Sequence, residues 1–202
     1  MRKLMAVGSM WWILMLVAPV CAQQIDLTFG GGPLVAPTSN NSFSGLNQSL
    51  NGGTYVGLGG DYLLKRKFGV GGEVFWRERQ GLYNSGFPYR TVFWNFNAMY
   101  APRFNKHFGA EIVAGLGGET VREYGLVSNC DSNGNCSNYT SDTHFMGDVG
   151  GGFKIYPFRG IFVRPEVRLY IVPNNVEFNS SIAVRYGASI GFTLGGGGSR
   201  QK

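Results

Sequence analysis

The sequence predicts an all-β chain: an eight-stranded antiparallel up-and-down barrel that crosses a membrane and keeps its polar side chains in the lumen. Three observations carry this. Apolar and polar residues alternate with period two over stretches of about ten residues, the signature of strands with two different faces. The stretches are joined by connections that alternate between short and long. Charged residues also sit at alternate positions inside apolar stretches, as in "GIFVRPEVRLYIVP" from Gly160 to Pro173.

Composition fits a chain that buries surface without being rich in charge. Aromatic residues make up 14%, charged residues 15%, and there are 32 glycines among 202 residues. Average chains carry ~25% charged residues and ~7% Gly. The N-terminal "MRKLMAVGSMWWILMLVAPVCAQQ" has two cations, an apolar run from Leu4 to Val20, and a small-x-small site at Val20-Cys21-Ala22. This reads as a secretory signal peptide, residues 1–22, ahead of a barrel domain, residues 23–202. Removing Arg2 and Lys3 takes the 18 basic residues to 16 against 12 acidic ones, so the formal charge falls from +6 to +4. No basic run suggests nucleic acid. After cleavage only Cys130 and Cys136 remain, and an exported chain is expected to join them.

Eight strands are predicted, at 24–34, 54–65, 68–80, 90–101, 108–124, 143–156, 161–172 and 182–195. In "TVFWNFNAMY", Val92, Trp94, Phe96, Ala98 and Tyr100 oppose Thr91, Phe93, Asn95, Asn97 and Met99. In the last strand Tyr186, Ala188, Ile190, Phe192 and Leu194 oppose Arg185, Gly187, Ser189, Gly191 and Thr193. Short links around "KRK", "PRFNKH" and "PFRG" alternate with long polar loops at 35–53, 81–90, 124–142 and 173–181. Tight turns at one end and long loops at the other is the layout of barrels in bacterial outer membranes. Strands of ~9–11 residues suffice to cross a bilayer.

A membrane barrel turns its apolar side chains to lipid and its polar ones inward. Ile161, Val163, Val167, Leu169 and Ile171 then face lipid, while Arg164, Glu166, Arg168 and Tyr170 face the lumen. Asp26, Asp61, Glu73, Glu111 and Asp148 fall on the polar faces of other strands, with Arg185 on the last, and complete an expected lumen charge network. Unpaired buried charges cost several kcal/mol, so pairing is required. Pro165 donates no ladder hydrogen bond, and a bulge or local break is expected there. Trp76, Trp94, Tyr124 and Tyr186 towards the loops, with Tyr62 and Tyr100 near the turns, predict two interfacial girdles.

These patterns resemble the small outer-membrane β-barrel domains of the OmpX, OmpW and OmpA-barrel type. The sharpest motif is in the last strand, where Arg185, Gly187, Ile190 and Phe192 match the family's assembly signal in order. "RPEVR" in the seventh strand is similar to segments of these barrels, whereas the "TLGGGGSRQK" tail departs from relatives that end on the aromatic. The resemblance implies outer-membrane lipid and the barrel-assembly machinery as partners, the latter reached through the last strand. No peptidoglycan-binding domain is expected after it.

Eight strands enclose a lumen just wide enough for side chains to fill it, so a plugged barrel is expected, with a structural or surface-interaction role through its loops and an unidentified surface ligand. No cofactor, metal or catalytic residue is assigned. The loop "SNCDSNGNCSNYTSD" is the most elaborate, and a Cys130–Cys136 bridge would stabilise it by about 2 kcal/mol. Asp131, Asn133, Asn135 and Asp142 fall at positions 1, 3, 5 and 12 of an EF-hand count, although Cys136 stands where Gly is required. Three alternatives stay open: a narrow channel for small solutes, a soluble periplasmic ligand-binding barrel, and a lipid-modifying enzyme. The enzyme would use His144 at the outer rim and needs a Ser and an acid brought to it from other strands.

Overall fold

A computed structural model describes residues 24–36, 52–64, 67–83, 87–130, 136–173 and 180–195. The expected signal peptide, most of loop 35–53 and the tip of loop 173–181 lie outside them. The strands are β1 (Gln24–Val35), β2 (Gly53–Leu64), β3 (Phe68–Arg77), β4 (Gly81–Tyr83), β5 (Phe87–Tyr100), β6 (Phe108–Cys130), β7 (Cys136–Phe158), β8 (Ile161–Ile171) and β9 (Ile182–Leu194). All pairings are antiparallel, and β3–β5 pairing closes the sheet into an eight-stranded barrel. The short β4 only forms a hairpin with the start of β5 at the loop end.

Register fixes the barrel's shape. One path of paired residues runs Ile25, Tyr62, Val70, Ala98, Ala114, Val149, Leu169, Val184 and returns to β1 at Val35. The return point lies ten residues beyond the start. With a rise of ~3.3 Å per residue and strands ~4.8 Å apart, a stagger of that size over eight strands tilts them by about 40°. Strands of ten to twelve residues then span roughly the ~30 Å of a hydrocarbon core.

The two faces are inverted relative to a water-soluble barrel. Leu58, Phe96, Ile112, Leu116, Phe145, Phe153, Val167, Ile190 and Phe192 are exposed, whereas Arg164, Arg168 and Arg185 are among the most completely buried side chains in the protein. Phe96 is 72% exposed on one side of its strand, while neighbouring Asn95 and Asn97 are buried on the other. An exterior this apolar is stable only against lipid, and the closed ladder leaves the spanning strands without an open edge in the bilayer.

The glycines explain how a narrow lumen holds arginines. A side chain at Gly150 would meet Arg168 Cδ at 2.4 Å, and one at Gly152 would press on Arg164 Cγ at 3.2 Å. Gly150 and Gly152 therefore leave room for the stems of the two arginines. At Gly191 a Cβ would lie 2.2 Å from Phe162, which fills the lumen above it. Gly160, with φ of 78°, makes the tight β7–β8 turn, a conformation that favours glycine.

Several boundaries differ from expectation. Segment 124–142 is not a long loop: β6 and β7 are 23 residues each and continue as a hairpin almost to the disulfide. Loop 81–90 is likewise mostly the β4–β5 hairpin. Pro165 produces no bulge. The β8–β9 ladder passes through Pro165↔Ala188, and on the β7 side pairing steps from Gly152↔Glu166 to Ile155↔Val163 in unchanged register. The ladder is interrupted locally without a slip, so Arg164 and Glu166 stay on the same face. The register shift in this hairpin lies nearer the turn, between Ile155 and Phe158.

Candidate functional site

The lumen is built in three layers. At mid-height is a salt-bridged charge layer. Arg164 meets Glu111 at 2.6 Å, Glu166 at 2.9 Å, Glu73 at 3.1 Å and Asp61 at 3.6 Å. Its Nε also donates to Ser189 Oγ at 3.2 Å. Arg168 donates to Glu73 at 2.6 Å and lies 3.5 Å from Asp148. Arg185 pairs with Glu166 at 3.0 Å, donates to the Tyr170 hydroxyl at 3.0 Å, and stacks 3.6 Å over Phe75. With its amide turned to donate, Asn97 reaches both oxygens of Asp148 at 3.1 and 3.2 Å.

All nine charged residues named from the sequence lie in this layer: Asp26, Asp61, Glu73, Glu111, Asp148, Arg164, Glu166, Arg168 and Arg185. Sequence reading missed Lys154. Its ammonium bridges Asp26 at 2.8 Å and Glu111 at 2.7 Å, joining Asp26 to the rest. Gln24 and Thr193 also donate to Asp26, each at 2.8 Å. Lys154 shares its face with Asp148 six residues earlier, so strand parity was the available signal. Charged hydrogen bonds in a site closed to water are strong when every partner is present.

Apolar layers close both ends. On the loop side Leu34, Tyr55, Tyr89, Phe93, Val121, Met146, Tyr170, Val172 and Ala183 form one buried cluster. Phe93 stacks on Tyr170 with centroids 4.8 Å apart, and Tyr55 tilts against Phe93 at 5.5 Å. On the turn side Leu63, Met99, Ala101 and Val113 form a second cluster, and Phe162 packs near Tyr156 at 5.5 Å. The charge layer thus lies between two apolar clusters, with Glu119 and Thr91 buried beside the loop-side one.

The other distinctive feature is the hairpin. The last β5–β6 pair is Tyr89↔Glu123 and the last β7–β8 pair is Gly147↔Ile171. Among the described residues, Tyr124–Cys130 and Cys136–Met146 beyond them pair only within the hairpin. At ~3.3 Å per residue, β7 therefore runs about 35 Å past its last partner on β8. Cys130 and Cys136 stand opposite each other in the register and are joined by a disulfide. Tyr124 and Tyr139 pack at 6.2 Å, and Arg122 lies 5.3 Å from the Tyr139 ring.

This hairpin argues against reading the EF-hand spacing as a calcium loop. Asp131, Asn133 and Asn135 lie outside the described residues, but 136–142 is extended strand, which puts Asp142 about 20 Å along the chain from Cys136. That spacing is incompatible with a compact twelve-residue calcium loop. Among the described residues no cluster of His, Cys, Asp and Glu is arranged to hold a metal. His144 has Glu119 as its cross-strand partner, so an acid from another strand is at hand. The adjacent hydroxyls, Thr120 and Thr143, bond each other at 3.1 Å. In the last strand Arg185 enters the lumen, Ile190 and Phe192 face outward, and a side chain at Gly187 would strike the Gly31 carbonyl at 2.2 Å.

A closed eight-stranded barrel with a lipid-facing apolar belt and a polar interior has the fold of the small outer-membrane β-barrels. Solved structures share the fold. Neisserial surface protein A superposes with a TM-score of 0.54 at 11% identity, over 85% of this chain and 96% of that one. Ail, the attachment invasion locus protein of Yersinia pestis, in complex with the heparin analogue sucrose octasulfate, gives 0.52 at 11%, over 85% and 97%. OprG from Pseudomonas aeruginosa gives 0.52 at 12%, over 86% and 96%. At these identities the likeness is one of fold. No family model matches the chain, and neither does any curated protein.

Proposed function

We propose that this protein is a surface-recognition barrel of the bacterial outer membrane, acting through the β6–β7 hairpin and not by passing solutes. The observation that carries this is the pairing of a doubly plugged lumen with a hairpin whose outer edges are unpaired among the described residues. An open strand edge offers a row of backbone donors and acceptors to an extended peptide, which joins as a further strand. The segment "CSNYTSDTHF" suits that role, being rich in residues that form strands yet polar enough to stay in water. Ail binds a sulfated sugar analogue. Here the loop-end charges are mixed, with Arg79 and Arg122 beside Glu78, Glu123 and Asp142, and this balance favours a peptide over a polyanion.

In the same reading, residues 1–22 direct export and are removed. Arg185, Gly187, Ile190 and Phe192 present the last strand to the barrel-assembly machinery, and the barrel carries no catalytic function. The test replaces residues 125–138 with Asn-Gly, joining the register partners Tyr124 and Tyr139 by a two-residue turn. A displayed library of twelve-residue peptides is panned on both forms in lipid nanodiscs. Peptides enriched on the full chain and absent from the trimmed one are expected. Equal enrichment on both would remove the hairpin as the recognition element.

A further inference from the structure

Charge is distributed unequally between the two ends of the barrel. The three short turns carry Lys65, Arg66 and Lys67, then Arg103 and Lys106, then Arg159, and no Asp or Glu. Of the described ones, Lys67, Arg103, Lys106 and Arg159 are all exposed. The loop end, in contrast, mixes both signs. The turns lie between β2 and β3, β5 and β6, and β7 and β8, so the cations are spread around the rim and do not gather in one patch.

The cations stand over a ring of exposed aromatic side chains. Phe68 flanks the first turn, Phe104 and Phe108 the second, and Phe158 the third, the last 70% exposed. The second turn is also held firmly. Asn105 Oδ1 accepts from the backbone of His107 at 2.7 Å and of Phe108 at 2.8 Å. Arg103 donates to the carbonyls of Asn105 and Lys106 at 3.2 and 2.9 Å and lies 4.1 Å over the Tyr156 ring. Lys106 is thereby presented at the tip of a fixed turn, just outside the aromatic belt.

Aromatic rings at headgroup depth with cations immediately beyond them is the arrangement that meets a charged lipid surface. We propose that the turn end of the barrel is a binding collar for the phosphate headgroups of anionic phospholipids in the periplasmic leaflet. A single acidic protein would need the cations on one side, whereas a leaflet presents its phosphates all around the barrel, as the collar does. The proposal is independent of what the hairpin binds.

The test uses the full chain refolded into phosphatidylcholine vesicles containing spin-labelled phosphatidylglycerol or spin-labelled phosphatidylcholine. The relative association of the anionic over the zwitterionic label is read from the motionally restricted fraction. The unaltered protein is expected to prefer the anionic label by about tenfold at low salt, an estimate from the attraction of several near-surface cations. In the K65Q/R66Q/K67Q/K106Q/R159Q variant, which leaves only Arg103 with its guanidinium on the turn carbonyls, the preference is expected to fall to near unity, and in the loop-end variant R79Q/R122Q to persist. Retention of the heat-dependent gel shift identifies variants that are folded. No preference in the unaltered protein, its survival in the turn variant, or its loss in the loop variant instead would overturn the proposal. So would capture of isolated peptidoglycan by the collar without any lipid preference.

Discussion

Arg168 and Glu73 meet at 2.6 Å across the full width of the lumen. They belong to β8 and β3, which are four strands apart whichever way the barrel is followed. Glu73 also takes Arg164 at 3.1 Å, so one carboxylate ties two arginines of β8 to the far wall. The network acts as a set of cross-struts that the backbone ladder alone does not provide.

Removing that carboxylate leaves two buried guanidinium groups short of a partner. Glu73→Ala is expected to destabilise the barrel by about 3–5 kcal/mol. The paired change E73M/R168M is expected to cost less than the sum of its two single changes, because it leaves fewer orphaned charges. Urea unfolding in detergent micelles, followed by the heat-dependent gel shift, measures both.

Gly150→Val tests the space reserved for Arg168. A Cβ there would come within 2.4 Å of Arg168 Cδ. The added side chain is expected to displace the guanidinium from Glu73, costing roughly 1–3 kcal/mol for overpacking alone. Ala188→Val, on the lipid face of the next strand but one, is expected to change stability by less than about 0.5 kcal/mol in the same assay.

The doubly plugged lumen is expected to pass no current. Planar-bilayer recordings of the refolded protein should show a flat baseline at ±100 mV, a field worth about 2.3 kcal/mol per charge. Discrete ohmic steps from monodisperse protein would contradict the plugged lumen and favour the channel alternative.

The hairpin is expected to be uncoupled from the barrel. C130S/C136S should leave the barrel's unfolding midpoint unchanged. Chymotrypsin cleavage beside Tyr124 and Tyr139 should rise by about thirtyfold, the factor matching a cross-link worth about 2 kcal/mol. A fall in barrel stability of similar size would show that the hairpin is part of the folded unit.

What the sequence disclosed depended on where each strand sits. Strands 87–100 and 182–194 lie between lipid and lumen, so their faces differ sharply and period two is plain. Arg164, Glu166 and Arg168 were readable because each alternates with an apolar residue that faces lipid. The hairpin was not readable as strand: "CSNYTSDT" has water on both sides, and nothing imposes alternation on it. Lys154 was hidden because the glycines before it blur the two faces. At Pro165 the missing ladder donor was readable, and of the two outcomes it allowed, a bulge or a local break, the structure has the break. The proline faces outward, its partner Ala188 is retained, and the cost falls on a short interruption towards β7 and not on the register.

The claim on which all of this rests is that adjacent residues of one strand face lipid and lumen in turn. The most direct measurement places a nitroxide singly at Ser189, Ile190, Asn95 and Phe96 in a bilayer and reads its collision rate with oxygen, which concentrates in lipid. High rates at Ile190 and Phe96 with low rates at Ser189 and Asn95 are the expected result. High rates at Ser189 and Asn95 instead, or the same rate at all four, would contradict the inverted faces and with them the lumen charge network.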